Sequence, residues 1–130
     1  MVGLVLVSHS VKITEGLKDL TAEIAPTHKW IISAGGMEDG AIGTDAIRIS
    51  EAIRQANDGD GVVVLADIGS GVMSAETAIE LLEEEDINVK FADAPLVEGT
   101  IAAAVSAMVG SDIEAVIKAA EDCRGAKKIL

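Results

Sequence analysis

Two runs, VGLVLV at residues 2–7 and GVVVLA at residues 61–66, contain no polar side chain. They restrict the fold more than any other feature of the chain. A strand that faces water on one side alternates apolar and polar residues. An unbroken β-branched run is covered on both sides, as in a parallel sheet held between layers of helix. After the first run, Ile13, Leu17, Leu20 and Ile24 recur at helical spacing, and Pro26 closes the segment. KWIISA (29–34) predicts a second strand and GGMEDGAIGT (35–44) a Gly-rich loop, with Thr44 as the cap of a helix to about Asn57. After the second run comes another Gly-rich loop, DIGSGVMS (67–74), and Ser74 is expected to open the next helix. Thr77 stands where a capping box has an acid, so that box is incomplete. NVKFA (88–92) predicts a fourth, shorter strand. Two Ala-rich helices follow, at about 97–109 and 112–123, the second capped by Ser111 or Asp112.

Four β–α units in series predict an α/β fold of the flavodoxin-like, three-layer kind. Its mainly parallel four-stranded sheet would take the order 2-1-3-4, with helices on both faces. At 130 residues, without an internal repeat or linker, the chain reads as one domain over 1–130. The order matters for function. The chain winds one way from strand 1 and the other way from strand 3, and a crevice opens between their carboxyl ends. Ser8, His9 and Ser10 leave strand 1, and Asp67, Ile68 and Gly69 leave strand 3. A histidine and an aspartate 58 positions apart therefore face each other at the switch point.

That pair has a definite chemistry. A carboxylate that takes one imidazole N–H fixes the tautomer, leaves the other nitrogen's lone pair free, and stabilises the ring when it becomes cationic. A phosphate-accepting histidine needs all three. Donors for the phosphoryl group need not be cationic. Gly69, Ser70 and Gly71 can turn backbone N–H groups toward an anion, and the helix after Ser10 adds its N-terminal dipole. The bland alternatives are a capping or core histidine and a turn-forming aspartate. Each is reasonable for one residue alone, and both together at a switch point favour function.

Other features narrow the classes. The net charge is −12 and the only aromatic residues are Trp30 and Phe91. Both facts argue against nucleic acid, and the charge favours basic partners. The scarce aromatics also disfavour a flavin module. No run reaches membrane-spanning length and no signal peptide is visible, so no membrane role and a cytoplasmic location are expected. The single cysteine, Cys123, fits that location. No Cys/His cluster calls for a metal, and no cofactor is expected. His28 reads as surface structure at the far end of the sheet. Met37 and Met73 read as rim loop residues, either gap-filling or a soft docking surface. Glu83–Asp86 reads as a solvated helix end. The loop at 35–44 matches neither a Walker A nor a dinucleotide motif. An aspartate-phosphorylated receiver is disfavoured, because it needs an acidic pair after strand 1 to hold Mg²⁺.

LVLVSHS, AIGTDAI, DIGSGVMSAETAIELL and APLVEGTIAAAVSA resemble the mannose-type EIIA family over Met1 to about Val116. Within it they are similar to the phosphotransfer (DhaM) subunits of phosphoenolpyruvate-dependent dihydroxyacetone kinases. The resemblance implies a homodimer and a phosphotransferase component, phosphoenolpyruvate–glycerone phosphotransferase, working through a phosphohistidine. It implies that His9 carries the phosphoryl group with Asp67 as carboxylate partner. The donor would be phospho-HPr and the acceptor ADP held in the DhaL subunit, which then serves dihydroxyacetone on DhaK. With the chain ending at Leu130, HPr or a dedicated equivalent would be a separate protein. Two alternatives stay open. One is a mannose-type EIIA serving a sugar-transporter EIIB, where Gly rather than Ser10 is expected after the histidine. The other is a non-catalytic sensor of phosphorylation state.

Overall fold

The computed structural model describes residues 1–129. Strands β1 (Gly3–Val7), β2 (Ile31–Ser33), β3 (Val62–Ala66) and β4 (Val89–Phe91) form one parallel sheet in the order β2-β1-β3-β4. The two central strands run in step from Gly3 beside Val62 to Val7 beside Ala66. Helices α1 (Val11–Ile24), α4 (Leu96–Met108) and α5 (Ile113–Glu121) cover one face. Helices α2 (Ala46–Ala56) and α3 (Ser70–Leu81) cover the other. The two apolar runs explain this directly. Leu4, Leu6, Val63 and Leu65 point into one core with Leu17, Ala103, Ala107 and Val116. Val5, Val7, Val62 and Val64 point into the second with Ile49, Ile53, Ala75 and Ala78. Each fully buried Val or Leu contributes about 1.5–3 kcal/mol relative to exposure. A polar residue at any of these positions would lose that and leave an unpaired group in one core or the other.

The fold corrects three expectations and decides between the two caps offered for α5. Thr44 does not cap α2. Asp45 does, in extended backbone, its Oδ1 accepting from the N–H groups of Ile47 at 2.9 Å and Arg48 at 3.4 Å. Helix α3 does not wait for Ser74 but opens at Ser70. Gly69, at φ +51°, turns the chain sharply enough for the helix to start just past the strand end. Met73 therefore sits on a helix rather than in a loop. Asp112 rather than Ser111 caps α5, accepting from Ala115 N–H at 2.9 Å. And His28 is not on the surface: it is 7% exposed. Its Nε2–H donates to Val2 O at 2.9 Å and its Nδ1 accepts from Trp30 N–H at 3.1 Å. The neutral ring thus ties the start of the β1 segment to the start of the β2 segment.

Burial pushes the His28 pKa down and the N-terminal ammonium adds to that, against the bond to Val2 O. A base with a depressed folded pKa destabilises on the acid side. The unfolded chain takes the proton below about pH 6.5 and the folded chain resists it. Protonation would also break the Trp30 bond. Stability should therefore fall from pH 7.5 to 5.5, by at most about 1.4 kcal/mol per pH unit from this group. Urea midpoints of wild type and His28→Gln check this. The variant is expected to be less stable at pH 7.5 and to lose less on acidification, and equal slopes would remove His28 from the account.

Candidate active site

The sheet order brings His9 and Asp67 together. β1 ends at Val7 and β3 at Ala66, in register, and Asp67 N–H extends the ladder to Val7 O at 3.0 Å. One carboxylate then gathers the whole strand-1 turn. Asp67 Oδ2 accepts from Ser8 Oγ–H at 2.9 Å, from His9 N–H at 3.0 Å and from His9 Nδ1 at 3.0 Å. Oδ1 lies 3.2 Å from the same Nδ1. An ionised carboxylate only accepts, so Nδ1 bears the proton and Nε2 keeps its lone pair. Nε2 lies 2.7 Å from Ser70 Oγ, so the serine hydroxyl donates to that lone pair.

Burial pushes the Asp67 carboxyl up. The hydrogen bonds from the His9 ring, the His9 and Ile68 N–H groups and the Ser8 hydroxyl outweigh it, and its pKa lies below the ordinary carboxylate value. Asp67 is thus a fixed anion behind the ring. The two side chains are 29% and 18% exposed, so the pair is shielded but the ring edge stays reachable.

The first turn of α3 is built against this pair. A side chain at residue 71 would collide with Asp67 Oδ1, which the His9 ring holds in place, so the position needs Gly. The N–H of Gly71 is taken by Ile68 O at 2.9 Å, and no partner among the described residues engages the N–H of Gly69 or Ser70. Those two, rather than Gly71, are the free donors at the start of α3. Ser10 is the N-cap of α1, but its side chain makes no capping bond and its N–H donates to Ser8 Oγ at 3.1 Å.

Two contributors were given no role at the site by the sequence. Ser8 is fully buried and relays Ser10 N–H to Asp67 through one hydroxyl. Thr44 pins α3 from the neighbouring loop, with its Oγ1 2.7 Å from Ser74 Oγ and 3.3 Å from Ser70 O. The same loop holds the strand-1 turn, because Gly36 N–H and Gly43 N–H donate to Ser8 O and His9 O, each at 2.9 Å. Residues 43 and 44 thereby hold the main chains of both His9 and Ser70. Only the capping function of residue 44 was readable in advance, and it belongs to Asp45.

On the loop, the α2 start and the α3 start that carry Gly43, Asp45, Asp67 and Ser70, the side chains of Ile42, Ile47, Ile68 and Met73 are each more than half exposed. Met37 is half-buried against Gly43. Among the described residues no cluster of His, Cys, Asp and Glu could hold a metal ion, and no helix is long and apolar enough to cross a membrane.

Residues 3–117 match the EIIA-man family, described as the PTS system fructose IIA component. The chain is a member of the EIIA-man family. Within it, this EIIA-man protein stands with the DhaM subunits. It is 44% identical to the phosphoryl donor subunit DhaM of the PEP-dependent dihydroxyacetone kinase 2 of Listeria innocua, over 91% of this chain and 95% of that one. The DhaM of Escherichia coli K12 is 47% identical, but the match takes in 90% of this chain and 26% of that longer protein. The phosphotransferase subunit DhaM of Lactococcus lactis is 34% identical over 88% and 89% of the two chains. A crystal structure described as an unknown-function protein, EF1359, superposes with a TM-score of 0.81 at 35% identity over 93% of both chains. A sigma-54 interaction domain protein of Enterococcus faecalis shares the fold, with a TM-score of 0.67 at 19% identity.

Proposed function

We propose that this EIIA-man domain is the phosphoryl donor subunit of a dihydroxyacetone kinase and that His9 Nε2 carries the group. The observation that supports this most is the polarised ring, with its Nδ1–H on an ionised Asp67 and its Nε2 lone pair at the exposed edge. In the first step the Nε2 lone pair attacks phosphorus on phospho-HPr. The P–N bond of the donor breaks and its electron pair returns to the donor ring. Positive charge grows on the His9 ring, and Asp67 stabilises it through the Nδ1–H it already holds. In the second step a β-phosphate oxygen of ADP held in DhaL attacks, the Nε2–P bond breaks, and the ring regains its lone pair.

The protein supplies position and donors, which is most of what phosphoryl transfer asks. The Ser70 hydroxyl swings from Nε2 to a phosphoryl oxygen, beside the N–H groups of Gly69 and Ser70. Gly71 keeps the helix close enough for this, and Ser10 places the dipole of α1 on the same side. The exposed side chains of Ile42, Ile47, Ile68 and Met73 give partners an apolar contact, and the charge of −12 speeds encounter with a basic phosphocarrier. The active species is a homodimer of such domains.

The discharge assay tests the acceptor. Protein charged by phosphoenolpyruvate, enzyme I and HPr is mixed with DhaL–ADP, DhaK and dihydroxyacetone. Production of dihydroxyacetone phosphate is the expected result. A charged protein that these subunits cannot discharge would point instead to a sugar-transporter EIIB. Ser70→Ala should accept phosphate on the order of 10-fold more slowly, the loss of one hydrogen bond to a charged group. The loss is partly offset because the serine no longer covers Nε2 beforehand. Equal or faster acceptance would leave Ser70 a cap on the resting ring and nothing more.

A further inference from the structure

The chain has three arginines, Arg48, Arg54 and Arg124. Two are exposed and held by a carboxylate, Arg54 by Glu85 at 2.7 Å and Arg124 by Asp93. Arg48, in the first turn of α2, is different. Its side chain is half-buried, and no carboxylate among the described residues forms an ion pair with it. Asp45, the acid closest in sequence, has its Oδ1 on the N–H groups that open α2. Of the guanidinium, Nη2 donates to Gly35 O at 3.0 Å, and Nε is buried with no partner among the described residues. An ion drawn out of water costs stability unless it is paired. This one stands against the support of the His9 turn. The Gly35 carbonyl belongs to the same peptide group as Gly36 N–H, which donates to Ser8 O at 2.9 Å. A side chain on Gly35 would strike Thr14 Oγ1 and Ser10 O, so the peptide is wedged against the first turn of α1. The guanidinium thus lies one peptide group behind the strand-1 turn, at most about 8 Å from Ser8 O.

We propose, resting on the phosphohistidine reading above, that the unpaired charge of Arg48 stabilises the phosphorylated form of His9. A phosphoryl group brings negative charge to a ring that already has the Asp67 carboxylate behind it, in a chain whose net charge is −12. The donors offered to it, Ser70 Oγ and the N–H groups of Gly69 and Ser70, carry no net charge. A cation nearby offsets the repulsion. Arg54 and Arg124 cannot serve, because the carboxylate on each cancels most of its field at a distance. Arg48 keeps its whole charge, and partial burial spares it much of the screening by water and salt. Its bond also polarises the Gly35–Gly36 peptide, which strengthens the N–H donated to Ser8 O. Arg48 touches neither the ring nor the phosphoryl group. It is a positioning residue that holds this peptide and sets the field behind the His9 turn.

The equilibrium of phosphoryl exchange with HPr tests this, because it reads the energy of the phosphohistidine and not the speed of docking. Protein and phospho-HPr are mixed at low ionic strength, and both phosphorylated species are quantified by intact mass. The variants are Arg48→Met, Arg48→Lys and, as a control in the last turn of the same helix, Arg54→Met. Circular dichroism confirms folding, and Arg48→Gln is the neutral variant used if Arg48→Met does not fold. The neutral variant should shift the equilibrium toward phospho-HPr on the order of 10-fold. Arg48→Lys keeps the charge and should stay within about 3-fold of wild type. The control should match wild type. An unshifted equilibrium in the neutral variant would overturn the proposal. An equal shift in Arg48→Lys would do the same, by reducing Arg48 to a hydrogen-bond donor for Gly35 O. So would an equal shift in the control, which would make the effect one of net charge alone. A wild-type protein that takes no phosphoryl group from phospho-HPr would instead overturn the phosphohistidine reading, and the role of Arg48 with it.

Discussion

His9→Ala folds and gains no phosphoryl group from phospho-HPr. The fold does not depend on the ring. His9 N–H still reaches Asp67 Oδ2, and His9 O still accepts from Gly43 N–H, because both bonds are made by the main chain. The side chain is 29% exposed and belongs to neither core. The chemistry does depend on it, since a nucleophile that forms a covalent intermediate has no substitute when removed. The other histidine, His28, is buried and has both ring nitrogens engaged. Intact mass after incubation with phosphoenolpyruvate, enzyme I and HPr reads the outcome. Wild type gains one acid-labile phosphoryl group and the variant none. Wild-type-like charging of the variant would return His9 to the role of a strand-end residue.

Asp67→Asn should keep the histidine and lose most of the rate. Oδ2 serves Ser8, the His9 main chain and the His9 ring at once, and a neutral amide serves them less well. If the amide turns its NH₂ toward the ring, it donates to Nδ1. That selects the tautomer with the proton on Nε2, where the attacking lone pair is needed. It also removes the anion that stabilises the ring as it turns cationic. Charging is expected to slow by at least about 100-fold, the lower range for a positioned acid–base partner. Asp67→Ala should also be slow, with His9 still open to chemical modification. Rapid-quench charging rates measure both. Unchanged rates would leave Asp67 only as a turn former.

Much of this architecture was readable from residue order. VGLVLV and GVVVLA could only be central strands, because every residue must be covered, and they became β1 and β3. Once the order β2-β1-β3-β4 followed, His9 and Asp67 had to meet although 58 positions separate them. What was missed depends on closure in three dimensions. Thr44 and Asp45 are both good caps, and only the contact with Ser70 and Ser74 decides that threonine looks across and aspartate looks down the helix. Gly69 reads as loop because glycine breaks helices, yet here its positive φ starts one. His28 reads as surface because it lies in the connection before β2, at the far end of the sheet from the crevice. Its burial comes from two backbone groups, Val2 O and Trp30 N–H, whose positions follow from strand pairing rather than from local pattern. Ser8 is placed at the strand end by the sequence, but its bonds to Asp67 and Ser10 N–H appear only in the fold, for the same reason.

The most direct test of the account is the site of attachment on the ring. Uniformly ¹⁵N-labelled protein is charged with phosphoenolpyruvate, enzyme I and HPr. Long-range proton–nitrogen correlation spectra of its two histidines are then recorded before and after. Phosphorus on His9 Nε2, with Nδ1 still protonated against Asp67, is the predicted result. Phosphorus on Nδ1, or a His9 ring unchanged while the protein is charged elsewhere, would contradict it.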